Sequence, residues 1–256
     1  MTRLAISLVV YNNSEFDLSN LLDSIGRSGV GFSCFVVDNS ERDGLRAFFG
    51  RYSFVEYHFV GKNLGYGAGH NYAMIKVINR FEFHLVVNPD IYFEVGVLDG
   101  LIGFMDAHRE VGLVSPKILY PDGSIQYLSK RLPKPLDLFG RRFLPFFMLK
   151  KRRDYLEMRE TGYDREMDSS FLSGCFMFFR TEALLQVGLF DERFFLYCED
   201  LDITRRIAER YRCVFLPSIS VFHHFGKGSY KSLRMLGIHV VSAVRYFNKW
   251  GWFPLW

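Results

Sequence analysis

Five carboxylates fall within the thirteen residues Phe190-Asp191-Glu192-Arg193-Phe194-Phe195-Leu196-Tyr197-Cys198-Glu199-Asp200-Leu201-Asp202, interleaved with aromatic side chains. Aromatic packing can hold a carboxylate in a partly dry cleft, where its neighbours set its pKa and its aim. These residue types point to proton abstraction, with Asp200 as a general base on a cleft floor. The alternative is that Asp200 and Asp202 cap a helix opening at Leu201. A further acid stands in Asn88-Pro89-Asp90. Oxygen ligands of this kind suit Mg²⁺ or Mn²⁺, and the imidazole of His223 suits Mn²⁺ better. One carboxylate and one imidazole complete a metal site only with oxygens from a bound phosphate. Taken alone, His223 and His224 read as structural. The stretch Asn63-Leu64-Gly65-Tyr66-Gly67-Ala68-Gly69-His70-Asn71 is neither G-x-G-x-x-G nor a P-loop. Its glycines still allow close backbone approach and a helix N-terminus facing an anion.

Such groups need a scaffold, and the hydrophobic pattern supplies one. Residues 4–11 form an apolar run suited to a strand buried on both faces. Ser14, with Asp17 three residues on, marks a helix start. Residues 32–37, 54–60 and 83–87 read as further strands, and 68–79 as a helix before the fourth. Strands alternating with helices imply an α/β fold with a mainly parallel central sheet. Ligands then bind beyond the strand carboxyl ends, which is where Asn12-Asn13, Asp38-Asn39 and Asn88-Asp90 fall. A helix over 98–108 and a strand over 112–119 follow. Pro121-Asp122-Gly123-Ser124 predicts a hairpin returning through 125–128. Residues 169–179 read as one strand, in which Gly174 marks a close approach. A short helix over 182–187, a helix after the acidic motif and a strand over 213–222 complete the domain.

At 256 residues and 49% hydrophobic content the chain can build one large core. Aromatic content of 17% exceeds what a core alone requires and implies apolar surface. The four cysteines form no C-x-x-C pair and read as reduced thiols, consistent with a cytoplasmic setting. Residues 130–153 carry nine Lys and Arg against one acid, Asp137, interleaved with Leu and Phe. Basic plus aromatic chemistry suits an anionic membrane surface; the alternative is a loop packed on the core. No nucleic-acid motif accompanies this charge, so no nucleic-acid partner is expected. The tail carries Tyr and Trp beside Lys and Arg, which serves equally a membrane interface or a helix docked on the core.

Six motifs in order, Val9-Val10-Tyr11-Asn12, Val37-Asp38-Asn39-Ser40, Asn63-Leu64-Gly65-Tyr66-Gly67, Asn88-Pro89-Asp90, the acidic run and His223-His224-Phe225-Gly226, resemble family 2 glycosyltransferases, and within them the bacterial rhamnosyltransferases. The resemblance covers about residues 4–230 and implies a GT-A fold over 1–230. Residues 130–168 are then a basic, aromatic insertion, and 231–256 a C-terminal amphipathic helix with an aromatic tail. It implies inverting transfer from a nucleoside diphosphate sugar, with Mg²⁺ or Mn²⁺. Tyr11 and Asp38 match the positions that hold the base, with Asn12 and Asn39 beside them. Gly65, Gly67, Asn71 and Asn88 fall to the donor side. Asp90 matches the metal carboxylate, His223 a histidine that ligates the metal in some members, and Asp200 the catalytic base. Asp191, Glu192 and Glu199 are expected to meet the acceptor. The subgroup implies L-rhamnose from dTDP-rhamnose passing to a lipid-linked saccharide acceptor in cell-surface polysaccharide (O-antigen type) synthesis. The expected location is peripheral, at the inner face of the cytoplasmic membrane. Another UDP- or GDP-sugar, or a nucleotide-sugar-binding protein without catalysis, is the alternative.

Overall fold

The computed structural model describes residues 2–143, 146–224 and 233–252, and for residues 140–143 and 146–149 the backbone alone. Along this chain run β1 (Leu4–Val10), α1 (Glu15–Gly26), β2 (Phe32–Asp38), α2 (Arg46–Phe49), β3 (Val55–Phe59), α3 (Tyr66–Val77), β4 (Phe83–Val87), β5 (Ile91–Tyr92), α4 (Val97–Ala107) and β6 (Val111–Leu119). There follow β7 (Ser129–Lys130), α5 (Pro135–Phe143), α6 (Phe146–Leu156), β8 (Met167–Asp168), β9 (Phe171–Leu172), β10 (Phe176–Arg180), α7 (Thr181–Val187), α8 (Glu199–Ala208), β11 (Arg212–His223) and α9 (Leu233–Trp250).

The main sheet has the order β3-β2-β1-β4-β10-β6-β11-β5, with β8 on the flank of β11. Pairings β1–β2, β1–β4, β2–β3 and β6–β11 are parallel. Strand β10 lies antiparallel between β4 and β6, so β6 and β11 point the same way as β1 to β4. The carboxyl ends of six strands therefore gather on one edge. Strand β10, reversed, begins there and brings residues 173–175 to the same edge. Burial explains why these sequences form strands: Leu4, Ala5, Ile6, Leu8 and Val10 are fully buried, as a central parallel strand covered on both faces requires. Helix α1 starts as its sequence dictates, with a capping box between Ser14 and Asp17.

Three local expectations need correction. Residues 169–179 are not one strand: they divide into β9 and β10, because the Gly174 N–H turns aside to the Asp200 carboxylate. The turn at 120–124 forms, but only an isolated bridge, Leu119 to Ile125, follows it. The return strand is lost because Gln126 bonds inward to His223 O and Leu119 O, and Ser129–Lys130 pairs instead with Phe171–Leu172. No carboxylate of the acidic motif holds the N-cap position of α8. Cys198 holds the N-cap position of α8 without a side-chain bond, and Asp202 lies inside the helix.

The C-terminal helix is docked. Tyr246 and Phe247 are buried with Phe194, Cys198 and Leu201, and Phe139 of α5 stacks against Trp252. Burying a Phe such as Phe247 contributes roughly 1.5–3 kcal/mol. Residues 253–256, the end of the aromatic tail, and 225–232, including the end of the His-His-Phe-Gly motif, lie outside the described residues, as do the side chains of 140–149 within the basic stretch. Among the described residues no helix is long and apolar enough to cross a membrane. All four cysteines are buried and free.

Candidate active site

Two clefts open on the carboxyl edge of the sheet. The first, about 660 Å³, lies over the ends of β1, β2 and β4. Tyr11, Asn39, Gly65 and Asn88 line it. The second, about 930 Å³, lies over β4, β6 and β11, and Asp200, Glu199 and His223 line it. Tyr66, Asn88, Asp90 and Leu196 belong to both. A ligand filling the first therefore meets one filling the second at the Asn88–Asp90 strand end.

Each wall follows from local chemistry. Tyr11 is 41% exposed and presents an open aromatic face to the first cleft. Asn39 is buried; its amide nitrogen donates to Gly65 O at 3.0 Å, while its Oδ1 has no hydrogen-bond partner. A buried acceptor without a donor is costly, and here it borders the cleft. Asp38, expected to face the same ligand, does not line it. Its carboxylate is fully buried and accepts from Tyr57 Oη at 2.7 Å and Ser40 N at 2.8 Å. Asn12 does not line the cleft either; its N–H donates to Ser40 Oγ.

The glycine loop does two jobs. Gly65 has φ of 91°, and a Cβ there would stand 2.3 Å from Phe195 O, so only glycine fits. Gly67 packs beneath Phe190, which a Cβ would approach to 2.9 Å; the close approach is to the acidic motif, not to a ligand. Asn71 is likewise structural. Its amide bonds Phe190 O and Phe190 N and donates to Glu192. Asp191 is bound by Arg193 and by Lys249, whose bonds hold its carboxyl well below the usual range. Neither Asp191 nor Glu192 lines either cleft.

Asp200 and Glu199 differ in their support. Asp200 accepts from Gly174 N at 2.9 Å and Leu201 N at 2.8 Å. Burial raises its pKa, while those two N–H groups and the Lys130 charge oppose the rise. Glu199 is more enclosed, and its Oε2 has no hydrogen-bond partner. Burial, then the adjacent Asp200 charge, pushes its carboxyl well up. Of the two, Asp200 is built to carry the negative charge and Glu199 the proton. Tyr66, whose hydroxyl donates to Gly174 O at 2.5 Å, ties the glycine loop to the same turn.

Asp90 and His223 come together: His223 Nε2 lies 3.2 Å from Asp90 Oδ1, a buried oxygen without a hydrogen bond. Gln126 fixes the imidazole. Its amide nitrogen is held by two carbonyls, so its Oε1 accepts from His223 Nδ1–H at 2.9 Å. The Nε2 atom then stands beside the carboxylate oxygen. An imidazole nitrogen and a carboxylate oxygen side by side suit a divalent cation. Among the described residues no group of three or more His, Cys, Asp or Glu could hold a metal, so the remaining ligands would be substrate and water oxygens.

Nothing in the sequence signalled Gln126 or the donor at Gly174 as partners of the motif residues. Gly174 carried a hint, as a glycine within an apolar run; Gln126 carried none, because its role exists only across the β6–β11 edge.

No protein-family model matches the chain. It is 29% identical over 203 residues to the N-acetylglucosaminyl-diphospho-decaprenol L-rhamnosyltransferase of Mycobacterium tuberculosis, a match covering 75% of this chain and 66% of that protein. The chain thus spans slightly less than two thirds of that relative's length. It is 24% identical over 253 residues to the rhamnosyltransferase WbbL of Escherichia coli K12, covering 94% and 92%. Among solved structures it resembles the mannosyltransferase PcManGT of Pyrobaculum calidifontis in complex with GDP-Man and Mn²⁺, with a TM-score of 0.64 and 18% identity over 95% of this chain and 64% of that one. By fold the chain is a GT-A protein. By sequence it is rhamnosyltransferase-like.

Proposed function

We propose that the chain is an inverting glycosyltransferase that moves a sugar from a nucleoside diphosphate in the first cleft to an acceptor hydroxyl in the second. The observation that carries this reading is the meeting of the two clefts at Asn88 and Asp90, with Asp200 lining only the second. A direct displacement needs donor and acceptor on opposite faces of one carbon and a base on the acceptor side. Asp200 takes the acceptor proton, its carboxylate aimed by the Gly174 and Leu201 N–H groups. Tyr11 stacks on the base, and Asn39 Oδ1 accepts from its edge. Asp90 and His223 would hold Mg²⁺ or Mn²⁺, whose charge would offset that of the departing diphosphate. A glycoside hydrolase would instead need a carboxylic acid and a carboxylate flanking one bond.

The relatives' names support L-rhamnose passing to a lipid-linked N-acetylglucosaminyl diphosphate; the donor of this reading is dTDP-rhamnose, which the motif resemblance implies. Such an acceptor would bring the protein to the inner face of the cytoplasmic membrane as a peripheral protein. A thermal-shift screen of dTDP-rhamnose, UDP-sugars and GDP-sugars with and without Mn²⁺ tests this. Ligand at about a hundred times Kd stabilises by about 2.7 kcal/mol, and each kcal/mol raises Tm by roughly 2–4 °C at this size. The shift should be largest for dTDP-rhamnose, and Asp90→Ala should remove its Mn²⁺-dependent part. A screen in which no nucleotide sugar raises Tm would sink the reading.

A further inference from the structure

The second cleft is larger than one sugar ring requires, and one stretch of its wall is basic. Lys130, Arg153 and Arg159 line it, with Glu157 among them. Residues 130–160, which supply this wall, hold ten Lys and Arg against four Asp and Glu, whereas the rest of the chain holds 22 against 24. The positive surplus of the whole protein therefore belongs to the segment that walls one cleft. Two of these cations lie against the same carboxylates. Arg159 pairs with Glu157 at 2.6 Å and Asp154 at 3.3 Å, and Arg153 approaches the same two carboxylates at 3.8 and 3.7 Å. The Arg159 guanidinium lies 4.1 Å from the Tyr127 ring centroid. Glu157 fixes the Arg159 guanidinium through Nε and Nη2, and Arg153 adds its charge beside it at ion-pair distance; guanidiniums so placed suit phosphate oxygens. The same cleft carries Asp90 and Asp200, which repel phosphate. Acid and base within one cleft would orient a ligand that has a hydroxyl end and a phosphate end.

We propose that Lys130, Arg153 and Arg159 form a subsite for the phosphates of a saccharide 1-diphosphate acceptor, whose sugar hydroxyl faces Asp200. This rests on the transferase reading above and assigns the acceptor class to residues of this chain. The test uses two probes of equal tail, octyl-diphospho-N-acetylglucosamine and octyl N-acetylglucosaminide, titrated calorimetrically into the full chain. Wild type should prefer the diphosphate by about tenfold or more. The double variant R153Q/R159Q should lose most of that preference while binding the phosphate-free glycoside unchanged, and R153K/R159K should keep part of it. Equal binding of both probes by wild type, or an undiminished preference in R153Q/R159Q, overturns the proposal. So does a double variant that loses binding to phosphatidylglycerol vesicles but keeps the preference, since the cations would then serve lipid headgroups. The donor thermal shift is measured in parallel: its absence with the preference intact would sink the transferase reading and leave the subsite standing.

Discussion

Replacing Asp200 with Asn isolates the charge of the base from its shape. Asp200 offers one oxygen to Gly174 N–H and the other to Leu201 N–H. An amide can satisfy only one of these, because its NH₂ faces a donor at the other, a loss worth about 1 kcal/mol. Removing a buried charge beside Glu199 offsets part of that, so Tm should move by only a few degrees or less, about 2–4 °C per kcal/mol. Catalysis has no such compensation. A positioned base contributes about 10²–10⁴-fold, or roughly 3–5.5 kcal/mol of barrier. Radiolabel transfer by Asp200→Asn, with the donor selected by the thermal-shift screen, should fall by that factor. Donor affinity should not change, because Asp200 does not line the first cleft. Transfer within about tenfold of wild type would fall below the range for a general base and would refute the assignment. A weakened donor affinity would refute the division of labour between the clefts.

The raised carboxyl of Glu199 gives a pH prediction. A folded-state pKa above the ordinary glutamate value of 4.5 means that the native protein holds a proton the unfolded chain has released, so stability falls as pH rises above that value. Glu199→Gln should therefore raise Tm more at pH 8 than at pH 5, and should leave the acid limb of the transfer profile in place, because a protonated Glu199 puts no charge beside Asp200; equal Tm gains at both pH values would contradict a protonated Glu199. Asp202 is fully buried with Arg206 at 2.9 Å, Lys249 at 2.7 Å and Trp250 Nε1 at 2.8 Å. Asp202→Ala leaves the partly buried Arg206 without its carboxylate, while Lys249 keeps Asp191, and should cost about 3 kcal/mol in urea unfolding; a loss under about 1 kcal/mol, the scale of a surface pair, would show that this cluster does not hold α9. Changing Arg141, Arg142, Lys150 and Lys151 to Glu should reduce sedimentation with phosphatidylglycerol vesicles, and no reduction would favour a basic stretch that serves only the cleft wall.

What the sequence revealed, and what it hid, divides along physical lines. Strand runs such as residues 4–10 are legible because burial on both faces forces continuous apolar residues, and the Ser14–Asp17 cap is legible because both partners are local. Polar residues at strand ends mark the right edge of the sheet. Which of them faces a ligand is decided by partners far away in the chain. Asp38 is taken by Tyr57, nineteen residues on, and Asn71 by the Phe190 backbone. The unpartnered acceptor at the end of β2 is the neighbouring Asn39. The turn before residues 125–128 was legible for the same local reason as the cap, and the missing strand was not, because a single side chain, Gln126, diverts it.

The acidic motif also shows why composition alone could not separate a helix cap from a base. Tyr197 and Cys198 have φ of 68° and 67°, left-handed values that L side chains rarely adopt. Each costs about 1–2 kcal/mol and persists only where the surroundings dictate it. Here they do. Cys198 is buried against Tyr246 and Phe247, Ser242 donates to Leu196 O, and Lys249 reaches back to Asp191 at one end of the motif and Asp202 at the other. Helix α9 thus clamps the turn from outside while Tyr66 N–H holds Phe195 O from the glycine loop. The double left-handed turn starts α8 at Glu199 and brings Asp200 within 2.9 Å of the Gly174 N–H at the mouth of β10. A capping reading assumes extended backbone before the helix, with the acid outside it. With the backbone reversed at Cys198, the acid falls inside the first turn and faces the cleft, so the segment that looked like a terminal appendage is what aims the base.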